Sequence, residues 1–217
     1  MRSLAACGVV APVLDVLITI WLGALDPDYS HVRQYISELG ESGRPYAAVF
    51  SVWSLLWGIL FAGFALALGR GFGGQKGSWL GPGAVLIMAA SGMVVGFFPC
   101  DPGGTAQTVS GEVHLIAGGW IGMSAMVLTP FLTWVGMRRR AAWRGYRTLT
   151  LAAGALLAIF AGWLVVCHDA DAARSASAPG LAQRLFTGIL YVWVVVVAIR
   201  LWSLGATAEP SAAALAR

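Results

Sequence analysis

Apolar residues fall in six long blocks, at about 6–25, 45–68, 80–99, 111–136, 149–167 and 185–203, separated by shorter polar stretches. A bilayer core needs roughly 20 apolar residues per spanning helix, so each block predicts one transmembrane helix. The first block is longer than the roughly 7–15 residue core of a signal peptide. Leu25-Asp26-Pro27-Asp28 is also a poor cleavage site, and the block reads as a retained helix. No Gly-, Ser- or Pro-rich linker divides the chain. The pattern predicts an all-α polytopic membrane protein, with a six-helix transmembrane domain over 1–204 and an Ala-rich, disordered cytoplasmic tail over 205–217.

The polar stretch 26–44 is too long for a tight turn. Val32, Tyr35, Ile36 and Leu39 recur at helical spacing, with His31, Gln34 and Glu38 on the other face. Ser30 is a suitable N-cap and Gly40 a suitable stop, which predicts a short interfacial helix over the mouth of the bundle.

Composition supports this reading. Of 217 residues 58% are hydrophobic and 11% charged, against about a quarter charged in soluble domains. Too much of a small globule is surface for such a chain to fold in water. Nucleic-acid binding is excluded despite the net charge of +4, and three cysteines are too few for a disulfide scaffold. Ten of the fourteen basic residues fall on one side of a six-helix threading: Arg2, Arg70, Lys76, Arg138, Arg139, Arg140, Arg144, Arg147, Arg200 and Arg217. The positive-inside rule then predicts a protein of the cytoplasmic membrane with both termini cytoplasmic. All three histidines and eight of the ten acids lie at the opposite, outer end. Cys100 and Cys167 also lie there, and a bridge between them is open in an oxidising compartment. So is homo-oligomerisation.

That outer end carries the candidate chemistry. Asp101 follows an apolar run directly, a placement that favours the neutral acid and hence proton donation. Glu38, if turned inward from its helix, offers a second acid. Ser110 and His114 stack one turn apart at the start of the fourth helix, His114 just inside the apolar run, where ionisable groups are functional candidates. A structural hydrogen bond to a neighbouring helix is the competing reading of His114. Arg184, Thr187 and Tyr191 form a polar stripe into the sixth helix, and Arg184 can pair with Asp101 or Glu38, grip an anionic group, or simply snorkel outward. His168 and Asp169 could add metal ligands, but no two histidines have the spacing of a zinc motif, and neither metal nor cofactor is assigned. Asp15, alone near the middle of the first helix, is expected to face the bundle and find a hydrogen-bond partner.

Phe50, Trp53, Trp57, Phe61 and Phe64 follow one face of the second helix, with Phe160 and Trp163 similar in the fifth. Such stripes serve packing or anchor a helix in lipid. They also suit a wall around an isoprenoid or acyl chain, and electron-rich rings stabilise cations.

Three motifs resemble the family catalogued as domain of unknown function 998, small six-helix membrane proteins of bacteria and archaea. They are Ile36-Ser37-Glu38-Leu39-Gly40, Phe98-Pro99-Cys100-Asp101-Pro102 with His114 downstream, and Gly180-Leu181-Ala182-Gln183-Arg184. The resemblance covers almost the whole chain and implies a fold and a polar constellation, but no activity. Gln183 stands where an acid is frequent, which counts against a catalytic carboxylate at that position.

Three classes of function follow. The first is a membrane enzyme acting on a lipid or isoprenoid, best argued as acid-initiated cyclisation. Asp101 or Glu38 would be the acid, and His114 would orient or reprotonate it. Phe50, Trp53, Trp57, Trp163, Tyr191, Arg184 and Ser110 would bind the substrate. Small membrane-bound terpene cyclases resemble the chain in size and helix number, an analogy of architecture alone. A hydrolase built on Ser110 and His114, or on a metal, is its enzymatic variant. The second class is a non-catalytic scaffold or sensor. A transporter ranks third, because no internal repeat or paired broken helices are visible.

Overall fold

The computed structural model describes residues 1–73, 77–169 and 178–214. Six helices are long and apolar enough to cross a membrane. They are α1 (Arg2–Leu25), α2 (Ala47–Phe72), α3 (Leu80–Phe97), α4 (Val109–Met137), α5 (Arg147–Asp169) and α6 (Pro179–Ala214). The described residues contain no strand. Length and apolar content specify these helices: exposed Val13, Leu17, Ile20, Val52, Ile59, Val166 and Val192 give the bundle an apolar outer belt. Where the sequence predicts a tail from Gly205, α6 continues to Ala214. Residues 215–217 lie outside the described residues.

Each helix packs on its neighbour in the chain, and α6 packs on α1 to close a ring. Small residues set the closest approaches. A Cβ on Gly58 of α2 would meet the Ala89 carbonyl oxygen of α3, and one on Gly96 would meet that of Ser51. A Cβ on Gly8 of α1 would meet Phe64 of α2 and Ala198 of α6, so three helices meet at one glycine.

Two features depart from plain α-helix. The short helix expected in 26–44 is present, but as a 3-10 helix confined to Ile36–Gly40. The residues before it form turns, and hydrogen bonds tie them to the body of the protein. In α4, α-helix gives way after His114 to a π-helical segment, Leu115–Gly122, and resumes at Met123. π-Helix is rare, occurs mostly as single turns, and is frequent at functional sites.

The two ends of the bundle differ in charge. Arg2, Arg70, Arg138, Arg139, Arg140, Arg144, Arg147 and Arg200 lie at one end. There Arg200 donates to the Ala142 carbonyl (2.8 Å) and lies over the Tyr146 ring, while Arg140 lies over Phe72. The other end carries the 3-10 helix and all the described acidic side chains except Asp15. We call it the roof.

Candidate functional site

Beneath the roof is a cavity of about 540 Å³ to which all six helices contribute. Its size falls within the roughly 300–1,000 Å³ of small-molecule sites. Tyr35, Ile36 and Ser37 cover it, with Cys100 and Thr105 beside them. Phe50, Trp53 and Trp57 form one wall. The predicted aromatic stripe of α2 therefore faces inward, with Phe61 and Phe64 continuing it into solid core. Phe186 and Tyr191 of α6 stand on another side, and Met88 and Ser91 of α3 on a third.

Asp15 lies on this wall. Its Oδ1 accepts a hydrogen bond from Trp53 Nε1 at 2.7 Å, and its Oδ2 accepts one from the Tyr191 hydroxyl at 2.8 Å. The Tyr191 oxygen accepts in turn from Trp57 Nε1 at 3.0 Å. One carboxyl thus joins α1, α2 and α6. Thr19 hydrogen-bonds the Asp15 backbone carbonyl, so the carboxyl is left to the two aromatic donors. An ionised group at mid-bilayer costs about 3 kcal/mol or more unless partnered, and here both oxygens have partners.

His114 also lines the cavity. Its Nδ1 is 2.8 Å from the Phe98 carbonyl oxygen at the end of α3. A carbonyl can only accept, so Nδ1 carries the proton. One nitrogen thus anchors the ring on a helix-end carbonyl while Nε2 retains chemical capacity.

Most of the other residues singled out in the sequence build the roof. Asp101 Oδ2 accepts from the backbone N–H groups of Gln107 and Thr108, each at 2.7 Å, and Oδ1 accepts from the Thr108 hydroxyl at 2.8 Å. The Thr108 backbone bond, the Thr108 hydroxyl, the Gln107 amide and nearby His114 hold this carboxyl below the usual carboxylate range, against the opposing effect of burial. The apolar run before Asp101 predicts the reverse shift, and these hydrogen bonds outweigh it. Asp101 is a hydrogen-bond acceptor that organises the start of α4, and a Cβ on Gly111 would collide with it.

Glu38 is similar. Its Oε1 accepts from Tyr35 N at 2.9 Å and its Oε2 from Gln34 Nε2 at 3.2 Å, which caps the 3-10 helix. Ser110 donates to the Pro99 carbonyl at 2.8 Å, not to His114. Arg184 pairs with neither Asp101 nor Glu38. It donates to the carbonyls of His31 (2.7 Å), Gly180 (3.0 Å) and Gln34 (3.2 Å), and to the Tyr29 hydroxyl (2.6 Å). Trp163 sits on the outer face of α5 against Phe160. Cys100 is a buried thiol that donates to the Ser37 carbonyl, so the bridge to Cys167 is not formed. Burial, then the Glu41 and Glu38 carboxylates, push the Cys100 thiol up to about 12. Among the described residues no three His, Cys, Asp or Glu side chains gather as a metal site, and the His168 and Asp169 side chains lie outside those described.

The three short motifs thus converge on one structure. Residues 36–40 form the roof. Residues 98–102 hold it through the Cys100 carbonyl, which accepts from Ser42 N at 3.1 Å. Residues 180–184 latch it, since Gln183 Oε1 accepts from Ile36 N and Leu181 N donates to the Val32 carbonyl. Sequence reasoning missed Gln183, Phe186, Met88 and Ser91 as cavity residues. It also left Asp15 out of the site. The signal available for Asp15 was its depth in an apolar helix.

These features define an all-α polytopic membrane protein with a latched roof over an aromatic-walled interior cavity. The chain belongs to the DUF998 family, described as a protein of unknown function, whose family model matches residues 9–200. No curated protein matches it, and no solved structure does.

Proposed function

We propose that this protein is a membrane-embedded enzyme whose cavity holds the hydrocarbon chain of a lipid or isoprenoid, and that Asp15 is its acid. The single observation that carries this reading is the Asp15 carboxyl, buried between Trp53 and Tyr191 on the wall of an apolar cavity. An acid is effective when its conjugate base is stabilised before the proton leaves. Trp53 and Tyr191 already donate to both Asp15 oxygens, so the carboxylate left by proton transfer needs no reorganisation. In acid-initiated cyclisation the Asp15 proton passes to an alkene carbon or an epoxide oxygen. The faces of Trp53, Trp57, Phe50 and Tyr191 stabilise the resulting cation, by about 0.5–2 kcal/mol per ring. Loss of a proton to His114 Nε2 ends the sequence, and return of that proton to the Asp15 carboxylate resets the acid, so no net proton is consumed. Asp101 and Glu38 act in this reading as roof-building residues. The arginine-rich end faces the cytoplasm together with both termini, following the asymmetry of basic residues.

The test is turnover of prenylated or epoxidised substrates by the purified protein, with products resolved by mass spectrometry. Asp15→Asn keeps shape and polarity but removes the transferable proton, and should lower the rate by about 10²–10⁴-fold. Turnover unchanged in Asp15→Asn would overturn Asp15 as the acid. The satisfied hydrogen bonds of Asp101, Glu38 and Arg184 favour a second reading, a non-catalytic scaffold. It predicts no turnover of any such substrate and variants that differ only in stability.

A further inference from the structure

Two routes into the cavity are conceivable: from water through the roof, or from lipid between two helices. Hydrogen bonds from two directions close the roof. Gln183 and Arg184 hold it from α6, and the Cys100 carbonyl holds it from the α3–α4 connection. A Cβ on Gly180 would collide with the Gln34 carbonyl oxygen, so α6 and the roof are already in backbone contact.

The wall between α4 and α5 is different. Gly154, Ala161 and Val165 fall on one face of α5, at i, i+7 and i+11. Toward the arginine-rich end this face is tightly packed, for a Cβ on Gly154 would meet the Phe131 ring of α4 at 2.7 Å. Toward the roof it is open. Val165 is 42% exposed and also lines the cavity. Along α4, Trp120 and Leu128 are 57% and 50% exposed, and they too line the cavity. There the wall between the cavity and the outer surface is a single side chain thick.

The π-helical segment accounts for the change. Met123–Met137 packs on both α3 and α5. Leu115–Gly122 packs closely on α3, where a Cβ on Gly118 would meet Val95, but among the described residues it makes no comparable packing against α5. The wider π turns set the side chains of Leu115–Gly122 off the register that joins the two helices farther down.

We infer that a hydrocarbon chain reaches the cavity sideways from the bilayer, between α4 and α5 at Trp120, Leu128 and Val165, while the roof stays latched. The inference rests on the reading of the cavity as a lipid site. It specifies the substrate class: a molecule that resides in the membrane and presents an acyl or isoprenoid chain laterally, not one delivered from water.

The experiment uses the full chain in phosphatidylglycerol and phosphatidylethanolamine vesicles doped with a phospholipid carrying a diazirine in its acyl chain. After irradiation, adducts are mapped by peptide mass spectrometry. Wild type should carry adducts on interior Trp53 and Met88 as well as on outward Leu17 and Val192. Val165→Trp combined with Leu128→Trp should reduce the interior adducts to background and leave the outward ones unchanged. Val165→Ala combined with Leu128→Ala should raise the interior adducts, which covers the case in which the bulky variant fails to fold. Roof-loosening Arg184→Ala should leave them unchanged. Interior adducts that survive the tryptophan variant and rise in Arg184→Ala would overturn the lateral route and leave the lipid cavity standing. Absence of interior adducts in wild type would overturn the lipid cavity itself.

Discussion

Asp15 receives two donors of different kinds, and the difference fixes what each substitution does. The Trp53 indole can only donate, whereas the Tyr191 hydroxyl can rotate and accept. Asn at position 15 can therefore offer its oxygen to Trp53 and its NH₂ to Tyr191, keeping both links. Leu at the same position strands the Trp53 N–H in a dry interior, at a cost of about 1–3 kcal/mol. Thermal unfolding in detergent should rank wild type and Asp15→Asn close together and Asp15→Leu clearly below. Equal midpoints for Leu and Asn would show that these bonds do not hold the three helices. Asp101 gives a prediction in pH. Hydrogen bonds, first from Thr108, hold its folded value below the ordinary 3.8, so the unfolded chain binds the proton more readily. The stabilisation is fully present above about pH 4 and is lost as pH falls through the lower folded value. Wild type should lose stability on acidification below that point, and Asp101→Asn, already without the carboxylate, should lose less. Midpoints measured from pH 6 down to pH 3 check the difference in slope. Residues such as these are where sequence reading stopped short. The types Asp101, Glu38 and Arg184 were visible, but a carboxylate that accepts from backbone N–H groups and one that protonates a substrate look alike in one dimension.

At the level of elements, the six helices were legible because apolar length alone specifies them, and the ends of the first five fall close to the predicted blocks, while α6 runs beyond its block at both ends. The short roof helix was legible as an element but not in its form. A five-residue 3-10 helix shows too little periodicity to be told from an α-turn, and its identity depends on Glu38 bonding back to Tyr35. The π-helical segment was not legible at all. Leu115-Ile116-Ala117-Gly118-Gly119-Trp120-Ile121-Gly122 has no polar face to reveal a change of period. The latch at the start of α6 carries the element-scale prediction. One guanidinium serves three carbonyls and the Tyr29 hydroxyl, and its planar fork cannot be copied by an ammonium. Arg184→Lys and Arg184→Ala should both speed amide hydrogen exchange across residues 29–41, while exchange in α2 and α3 stays unchanged. Protection equal to wild type in Arg184→Ala would mean that the remaining roof contacts suffice.

For the whole molecule, the charge asymmetry sets the expected orientation. A membrane-impermeant maleimide should label Gln107→Cys in intact cells, and Ala142→Cys only after permeabilisation, each in a background lacking Cys7. Buried Cys100, with its thiol pushed up to about 12, should stay unlabelled at neutral pH. Labelling of Ala142→Cys from outside would reverse the orientation. Which helices neighbour one another was less legible than how many there are. Closure of the ring depends on Gly8 meeting Phe64 and Ala198, residues whose proximity no local pattern encodes. That closure also bears on how the protein is made. Helices leave the ribosome in order, so α1 reaches the bilayer with Asp15 lacking Tyr191, which lies 176 positions later and enters only with the sixth helix. Until α6 inserts, the nascent chain holds a carboxyl at mid-membrane with only one of its two donors, Trp53. A message truncated before α6 should therefore yield a product that quality-control proteases remove, while a chain that includes it escapes them at the moment α6 docks against α1.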